Sequence, residues 1–437
     1  MEVLAARERR AQRQAQLLTR YRKTLLCFTM NIAGPQKNSG LISRGFRIGD
    51  RQLLDVLERK GISVVHREES LTHTGCEGFY VIDARAEEVK ALTAQLENTA
   101  VGGRLYDMDV FAGDGKRVDR ESLGLPERGC LLCDNSAKIC GRSRAHSVSQ
   151  LQEKTQQLLQ ASVASHIAQL AVQALLCELY TTPKPGLVDC RNSGSHTDMN
   201  FMTFLSSAAA LHSYFYRCGE IGLQTRECSP EETFLLLRQA GVQAEKAMLR
   251  ATGGVNTHKG AVFTMGLLCG AAGRLAEASY VSAQALAQTC AAMTTGILQR
   301  DFCRITAENA ATVGQRLFVH HGITGARGQA QAGFPAVMER GLPVLQQGLA
   351  KGLSLNQAGC AALLAILAAA DDTNMIARSD LRIACQVREE LARLLQEDPY
   401  PDEETLEKLD DDFIEKNLSP GGSADLLAAT YFLHFYQ

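Results

Sequence analysis

Residues 355–372, LNQAGCAALLAILAAADD, carry no charge until the closing pair of aspartates and are apolar on nearly every side of a helical wheel. A helix apolar all round must be covered by other protein, so this stretch predicts a central buried helix. Working outward from it, Ala and Leu dominate from SQLQEKTQQLLQ (149–160) almost to the end of the sequence, and strand-like alternation is missing. Start signals punctuate this half. In SPEETFLLL (229–237), Ser229 is a cap, Pro230 suits the first turn and Glu232 stands three residues on.

The first part reads differently. Short β-branched or aromatic runs alternate with helical ones: TLLCFTM (24–30), RQLLDVLERKG (51–61), ISVVH (62–66), GFYVID (78–83), AEEVKALTAQLE (86–97) and RLYDMDVF (104–111). The order strand, helix, strand, strand, helix, strand is that of a split βαβ unit. The Arg-rich residues 7–23 fit a solvated amphipathic helix, because Leu17, Leu18 and Tyr21 recur at helical spacing. The expected architecture is therefore multi-domain: an α+β domain over 1–150, a polar linker over 151–164, and a larger all-α domain over 165–437.

The chain of 437 residues is longer than one core usually supports, which agrees with two domains. Its 45% hydrophobic and 22% charged residues suit a globular protein, and a net charge of -2 excludes bulk attraction to nucleic acid or an anionic membrane. An anion has to be held by local cations. The first twenty residues have no apolar core of the secretory type, and AALLAILAAA (361–370) is too short to span a bilayer. With fourteen cysteines read as reduced thiols, the expected location is the cytoplasm.

Polar and glycine-rich residues of the second half gather in five loops: 182–201, 252–260, 320–335, 371–380 and 417–427. Each leads into or out of an apolar helix. A helical fold builds its sites from such loops; glycine lets backbone approach a ligand, and a helix N-terminus favours an anion such as phosphate. Lys184, Lys259 and Arg327 add positive charge, while Asp198, Asp371, Asp372 and Asp425 could hold magnesium on phosphate oxygens. The combination predicts a phosphate-rich nucleotide site. His320 and His321 are adjacent and could not both face it from a helix; His166 and His212 read as ordinary histidines of helical runs.

The motifs TPKPGLVD, GSHTDM, GVNTHKGAVF, HHGITGARGQA, DDTN and NLSPGGSADLLA, in this order from about residue 165 onward, resemble the triphosphoribosyl-dephospho-coenzyme A synthases of citrate lyase maturation. That family is helical and joins ATP to dephospho-coenzyme A: a ribose hydroxyl displaces adenine and the triphosphate is kept. The resemblance implies substrate contacts from Lys184, Asn256, Lys259, His321, Arg327, Asn374, Ser419, Gly421, Gly422 and Ser423, and magnesium on Asp371 or Asp372. His258 or His196 would move a proton, with Asp198 and Asp425 as further catalytic carboxylates.

In the first half, RLYDMDVF sets Asp107 and Asp109 two apart on a strand, hence on one face, where two carboxylates repel unless a cation such as magnesium lies between them. CLLCDNSAKICGRSRAHS offers Cys130, Cys133, Cys140 and His146, a set that could close a tetrahedral zinc site or merely pack as reduced thiols beside a phosphate-binding tail. Together with FTMNIAGPQKNS, these stretches resemble the citrate lyase holo-acyl-carrier-protein synthases, over about residues 1–148. Ala33-Gly34-Pro35 stands where that family favours Pro-Gly-Pro. The resemblance implies a nucleotidyltransferase domain that attaches phosphoribosyl-dephospho-coenzyme A to a serine of the acyl carrier (gamma) subunit and releases pyrophosphate. Asp107 and Asp109 would bind magnesium and act in catalysis; Lys37, Arg142, Arg144 and His146 would meet the triphosphate or the carrier. The competing readings are an ATP-dependent kinase and a non-catalytic nucleotide-sensing, carrier-binding protein.

Overall fold

The computed structural model describes residues 2–437. Two units divide the chain: the first reaches His166 and takes in Ala276–Ser279, the second comprises Ile167–Leu275 and Tyr280–Gln437.

The first unit opens with helix α1 (Glu2–Tyr21), followed by β1 (Thr24–Met30), α2 (Gly40–Arg59), β2 (Val64–Thr72), β3 (Gly75–Ile82), α3 (Ala86–Thr99), β4 (Tyr106–Phe111), the short β5 (Arg117–Val118) and α4 (Ala137–Ser143). The sheet order is β2-β3-β1-β4-β5 and each neighbouring pair is antiparallel. One face of the sheet is covered by α1, as its amphipathic pattern predicts: Leu17 is buried with Leu25, Cys27, Phe79 and Val81, and Leu18, Tyr21 and Phe111 pack against them. The opposite side chains of β1 and β4 meet α2, where Phe28 stacks on Phe46 at 4.6 Å and meets Tyr106 edge-on. Gly49 permits this closeness, since a Cβ there would lie 2.8 Å from the Phe28 and Tyr106 rings. Each such buried side chain contributes about 1.5–3 kcal/mol.

Helix α5 (Val148–Tyr180) runs without a break through the predicted linker, residues 151–164. It is long and apolar enough to cross a membrane, yet Val163, Ile167, Leu170, Ala174, Leu175 and Leu179 are all buried within protein.

The second unit continues with α6 (Phe201–Gln224), α7 (Pro230–Ala251), α8 (Lys259–Arg274), α9 (Ala283–Met293), α10 (Ile297–Phe302), α11 (Val313–His321), α12 (Gly325–Gln331), α13 (Leu342–Ala350), α14 (Leu355–Leu367), α15 (Thr373–Arg378), α16 (Leu381–Glu397), α17 (Glu403–Glu415) and α18 (Gly421–Tyr436). Capping boxes start α6, α7 and α14, the second of them at Ser229 and Glu232. Every residue of α14 from Ala358 to Leu367 is buried, and Cys360, Leu364 and Leu367 join Met375, Ile376, Leu391, Phe413 and Leu418 in one core cluster. Helices α6 and α8 touch backbone to backbone. A Cβ on Gly222 would sit 2.1 Å from the Gly270 carbonyl, and one on Gly273 would sit 2.3 Å from that of Gly219. Only glycine allows such an approach, and it brings the start of α6 up to the start of α8.

Candidate functional site

In the second unit the loop after α5 is folded around its own carboxylate. Asp189 accepts hydrogen bonds from the backbone N–H groups of Lys184, Arg191 and Asn192, and burial raises its pKa in spite of these donors. Gly186 comes so close to Leu418 that a Cβ would lie 2.1 Å from the Leu418 carbonyl. The same glycine donates its N–H to Asp410 at 3.0 Å, and Asp410 also receives Arg191 and Asn192 at 2.7 Å.

Further along, Ser195 donates to the Leu418 carbonyl at 2.6 Å, and His196 places Nε2 2.8 Å from the Ser419 hydroxyl. Nδ1 of His196 is 3.0 Å from Arg378, whose other nitrogen donates to the Ser195 carbonyl. Burial, then the Arg378 charge, lowers the pKa of His196. Asp198 stands 3.8 Å from this ring and is largely exposed. The buried Asp372 caps α15 through the Asn374 and Met375 N–H groups and receives Ser423 twice, from its N–H at 2.6 Å and its hydroxyl at 2.9 Å. Asn374 lies against Gly421, and Gly422 against Asp372. Loops 182–201, 371–380 and 417–427 therefore converge.

The 252–260 loop joins them. His258 begins α8 with its Nδ1 2.7 Å from the Ser207 hydroxyl and the Phe204 ring edge-on at 4.9 Å. Its Nε2 is buried and has no hydrogen-bond partner. Burial, then the charge of Lys184, pushes the His258 pKa down to about 3, so the imidazole is neutral. Two residues on, Gly260 lies directly against Asp425, where a Cβ would be 1.9 Å from Oδ2. The Asp425 pKa is driven well up by burial first, then by Glu178 and Asp372, against an N–H from Ala261. Lys184 is only 1% exposed and its ammonium is paired with the equally buried Glu178.

Other expected residues lie apart from this nest. Lys259 is exposed and paired with Glu245 at 3.2 Å, Asn256 and His321 are exposed, and Asp371 is ion-paired with Arg388. Gly325 of the 320–335 loop approaches Thr373, whereas Arg327 turns to Asp301 at 2.7 Å and covers the Phe302 ring. Both Asp371 and Asp372 are thus already engaged by protein groups.

In the first unit, Asp107 and Asp109 share one face of β4 with Phe111, while Tyr106, Met108 and Val110 are buried on the other. Asp107 pairs with Arg128 at 3.4 Å and Asp109 with Arg117 at 2.5 Å. Burial, then repulsion from Asp107, raises the Asp109 pKa against the opposing charges of Arg117 and Lys90. Lys37 donates to the Ile32 carbonyl at 2.6 Å, and burial, then Arg7, lowers its pKa. Arg142 and Arg144 are exposed on and after α4. Cys130, Cys133, Cys140 and His146 come together with their ligand atoms all within 4.8 Å of one another.

The comparisons match this division. A family model described as ATP:dephospho-CoA triphosphoribosyl transferase covers residues 164–437. One described as apo-citrate lyase phosphoribosyl-dephospho-CoA transferase covers residues 1–162. The chain belongs to both families. Its two transferase segments recur in the same order in relatives called Protein CitXG. That of Haemophilus influenzae is 36% identical over 99% of this chain and 95% of the relative; that of Leuconostoc mesenteroides subsp. cremoris is 34% identical over 99% and 96%. The 2-(5''-triphosphoribosyl)-3'-dephosphocoenzyme-A synthase of Pectobacterium atrosepticum is 41% identical over 62% of this chain and 89% of its own length.

Sequence reasoning missed several members of this nest in the second unit: Glu178, Asp189, Ser207, Arg378 and Asp410. Glu178 had a signal, since it is the single charge in the run AVQALLCELY (171–180). A lone charge on an apolar helix has to be paired inside. Nothing local marks Asp410 or Ser207.

Proposed function

We propose that the second half joins ATP to dephospho-coenzyme A with release of adenine, and that the first half transfers the resulting phosphoribosyl-dephospho-coenzyme A group to a serine of the citrate lyase acyl carrier subunit, releasing pyrophosphate. We read 1–150 and 165–437 as the two catalytic domains, the first a split βαβ unit with β3 inserted between β1 and β2, the second all-α. Cytoplasm is the location that suits fourteen free thiols.

The observation that carries the reading of the second half is the unpartnered, buried Nε2 of the neutral His258. Leaving such an atom unsatisfied costs about 1–3 kcal/mol, a cost that a bound hydroxyl would offset. In the displacement, the anomeric C–N bond of ATP breaks and a C–O bond to the dephospho-coenzyme A ribose forms. His258 accepts the hydroxyl proton on Nε2, held in orientation by Ser207. Asp425, whose suppressed acidity keeps its proton to higher pH, supplies one to the departing adenine. Carboxylates around the nest stabilise the positive charge that builds on the ribose, as in glycosidases. The N-terminus of α18 at Gly421 and Gly422, with Ser419, Ser423, His196, Asn374 and Arg378, cradles the triphosphate. Asp198, 3.8 Å from the His196 ring, stands at the edge of this cradle. Magnesium on Asp371 or Asp372 would require Arg388 or four N–H and O–H donors to be displaced, so no step is assigned to it there.

In the first half the mutual repulsion of Asp107 and Asp109 fits magnesium, which would neutralise charge on the pyrophosphate as it leaves. Lys37, Arg142 and Arg144 face the triphosphate or the carrier. Purified chain incubated with ATP, dephospho-coenzyme A, magnesium and apo-carrier should add the phosphoribosyl-dephospho-coenzyme A mass to the carrier and free adenine to solution. Release of ADP in place of adenine would mean a kinase, and no turnover a binding protein.

A further inference from the structure

Residues 119–147 form ordered loops and one short helix, yet Cys140 alone among them is buried. Leu132 and Ile139 are exposed, 36% and 61%. A segment with so little apolar burial needs another device to fix its conformation. Three thiols and one imidazole meet where the core is absent. Cys130 and Cys133 flank a tight turn closed by the Cys130 N–H on the Asn135 carbonyl at 2.6 Å and the Ala137 N–H on the Arg128 carbonyl at 2.9 Å. Cys140 reaches in from α4 and His146 from the loop beyond. Cys133 Sγ is 3.4 Å from both Cys140 Sγ and His146 Nε2, and the Leu132 N–H points at Cys130 Sγ at 3.4 Å. Zinc–sulfur bonds of about 2.3 Å in a tetrahedron put sulfurs about 3.8 Å apart, a spacing that lies between the 3.4 Å separating Cys133 from Cys140 and the 4.8 Å within which all four ligand atoms fall. Soft thiolates with one imidazole select zinc over magnesium.

The turn is also latched to β4. Arg104 donates to the carbonyls of Gly129 and Cys130 at 2.6 and 2.9 Å. Arg128 donates to those of Arg104 and Tyr106 at 2.7 and 2.5 Å and pairs with Asp107. The peptide that carries the first cysteine is thereby tied to the strand that carries the aspartate pair.

We propose that Cys130, Cys133, Cys140 and His146 bind one zinc ion, and that this ion fixes the turn so that Arg128 is positioned beside Asp107 for carrier transfer. The metal site stands on its own geometry, while the positioning role rests on the transferase reading of the first half. The test uses the full chain purified without chelator, with metal content, carrier modification and adenine release measured on the same samples. About one zinc per chain is expected, lost in Cys133→Ser. That variant should lower kcat for carrier modification at least about tenfold, as loss of supporting groups around a site does, with the chain's circular dichroism and melting curve kept close to the parent's as the sign of a folded first unit. Arg128→Gln should keep zinc, reproduce the kcat loss and leave KM for the carrier unchanged. Chelation and zinc re-addition on the unmutated chain repeats the test without a substitution. Absence of zinc, or a Cys133–Cys140 disulfide in the metal-free chain, overturns the metal site. Full carrier modification after zinc removal overturns the positioning role. A zinc-loaded chain that frees adenine but never modifies the carrier refutes the first-half transferase reading, and with it the positioning role, while the metal site stands.

Discussion

Lys184 and Glu178 are 1% and 4% exposed and paired with each other, so neither has water to fall back on. Lys184→Met removes the cation and strands a carboxylate in the core. Breaking a buried pair from one side costs about 3–5 kcal/mol. Burial already raises the Glu178 pKa with Lys184 present, so in the variant Glu178 takes up a proton, which holds the loss to the lower end. At about 2–4 °C per kcal/mol for a unit of this size, melting should drop by about 10 °C. In Lys184→Met/Glu178→Leu the stranded charge is gone as well, and stability should return to within about 1 kcal/mol of the parent. Adenine release should return with stability, because burial, the larger cause of the low His258 pKa, still keeps that imidazole neutral. Melting curves and adenine release on parent, both single variants and the double variant complete the cycle. A Lys184→Met melting point within about 2 °C of the parent, under 1 kcal/mol, would refute the buried-pair argument. A double variant no more stable than the single would do the same. A rise in KM for ATP with stability intact would instead make Lys184 a phosphate ligand.

His258→Gln should lower kcat for adenine release about a hundredfold with KM for ATP little changed, read by adenine quantification. Because the folded pKa of His258 lies near 3, below the ordinary 6.5, its contribution to stability is present above 6.5 and is lost as pH falls from there toward 3. At about 1.4 kcal/mol per pH unit, the parent should lose about 2 kcal/mol more than His258→Gln between pH 6.5 and 5, measured by denaturant melts. Asp107→Asn and Asp109→Asn should abolish carrier modification and leave adenine release intact; loss of both would place these residues in the fold and not the site. Gly260→Ala drives a Cβ to 1.9 Å from Asp425 Oδ2, which should cost about 1–3 kcal/mol and most of the adenine release.

Local pattern carried α14, α1, the capped helix starts and the strand character of RLYDMDVF, because each leaves a periodic or positional trace in the chain. At 151–164 the polar composition suggested a linker but not its conformation; Gln, Glu and Lys are good helix formers, and α5 passes straight through. The five loops were visible as compositions, but the division of labour among them was not. His258 and Lys259 are neighbours with opposite fates, since one residue of helix turns a side chain by about 100°. The imidazole is buried against Ser207 and the ammonium is left exposed beside Glu245. Asp410 was illegible because its partners Gly186, Arg191 and Asn192 lie more than two hundred positions away along the chain.

The backbone seam between α6 and α8 makes the two rods behave as a single beam, clamped by Gly222, Gly270 and Gly273 at one end and carrying Ser207 and His258 at the other. One residue inserted between clamp and tip in either rod would swing the serine off the imidazole by about 100°. Drift in length is therefore forbidden along that span, although surface loops elsewhere in the chain are free to grow or shrink.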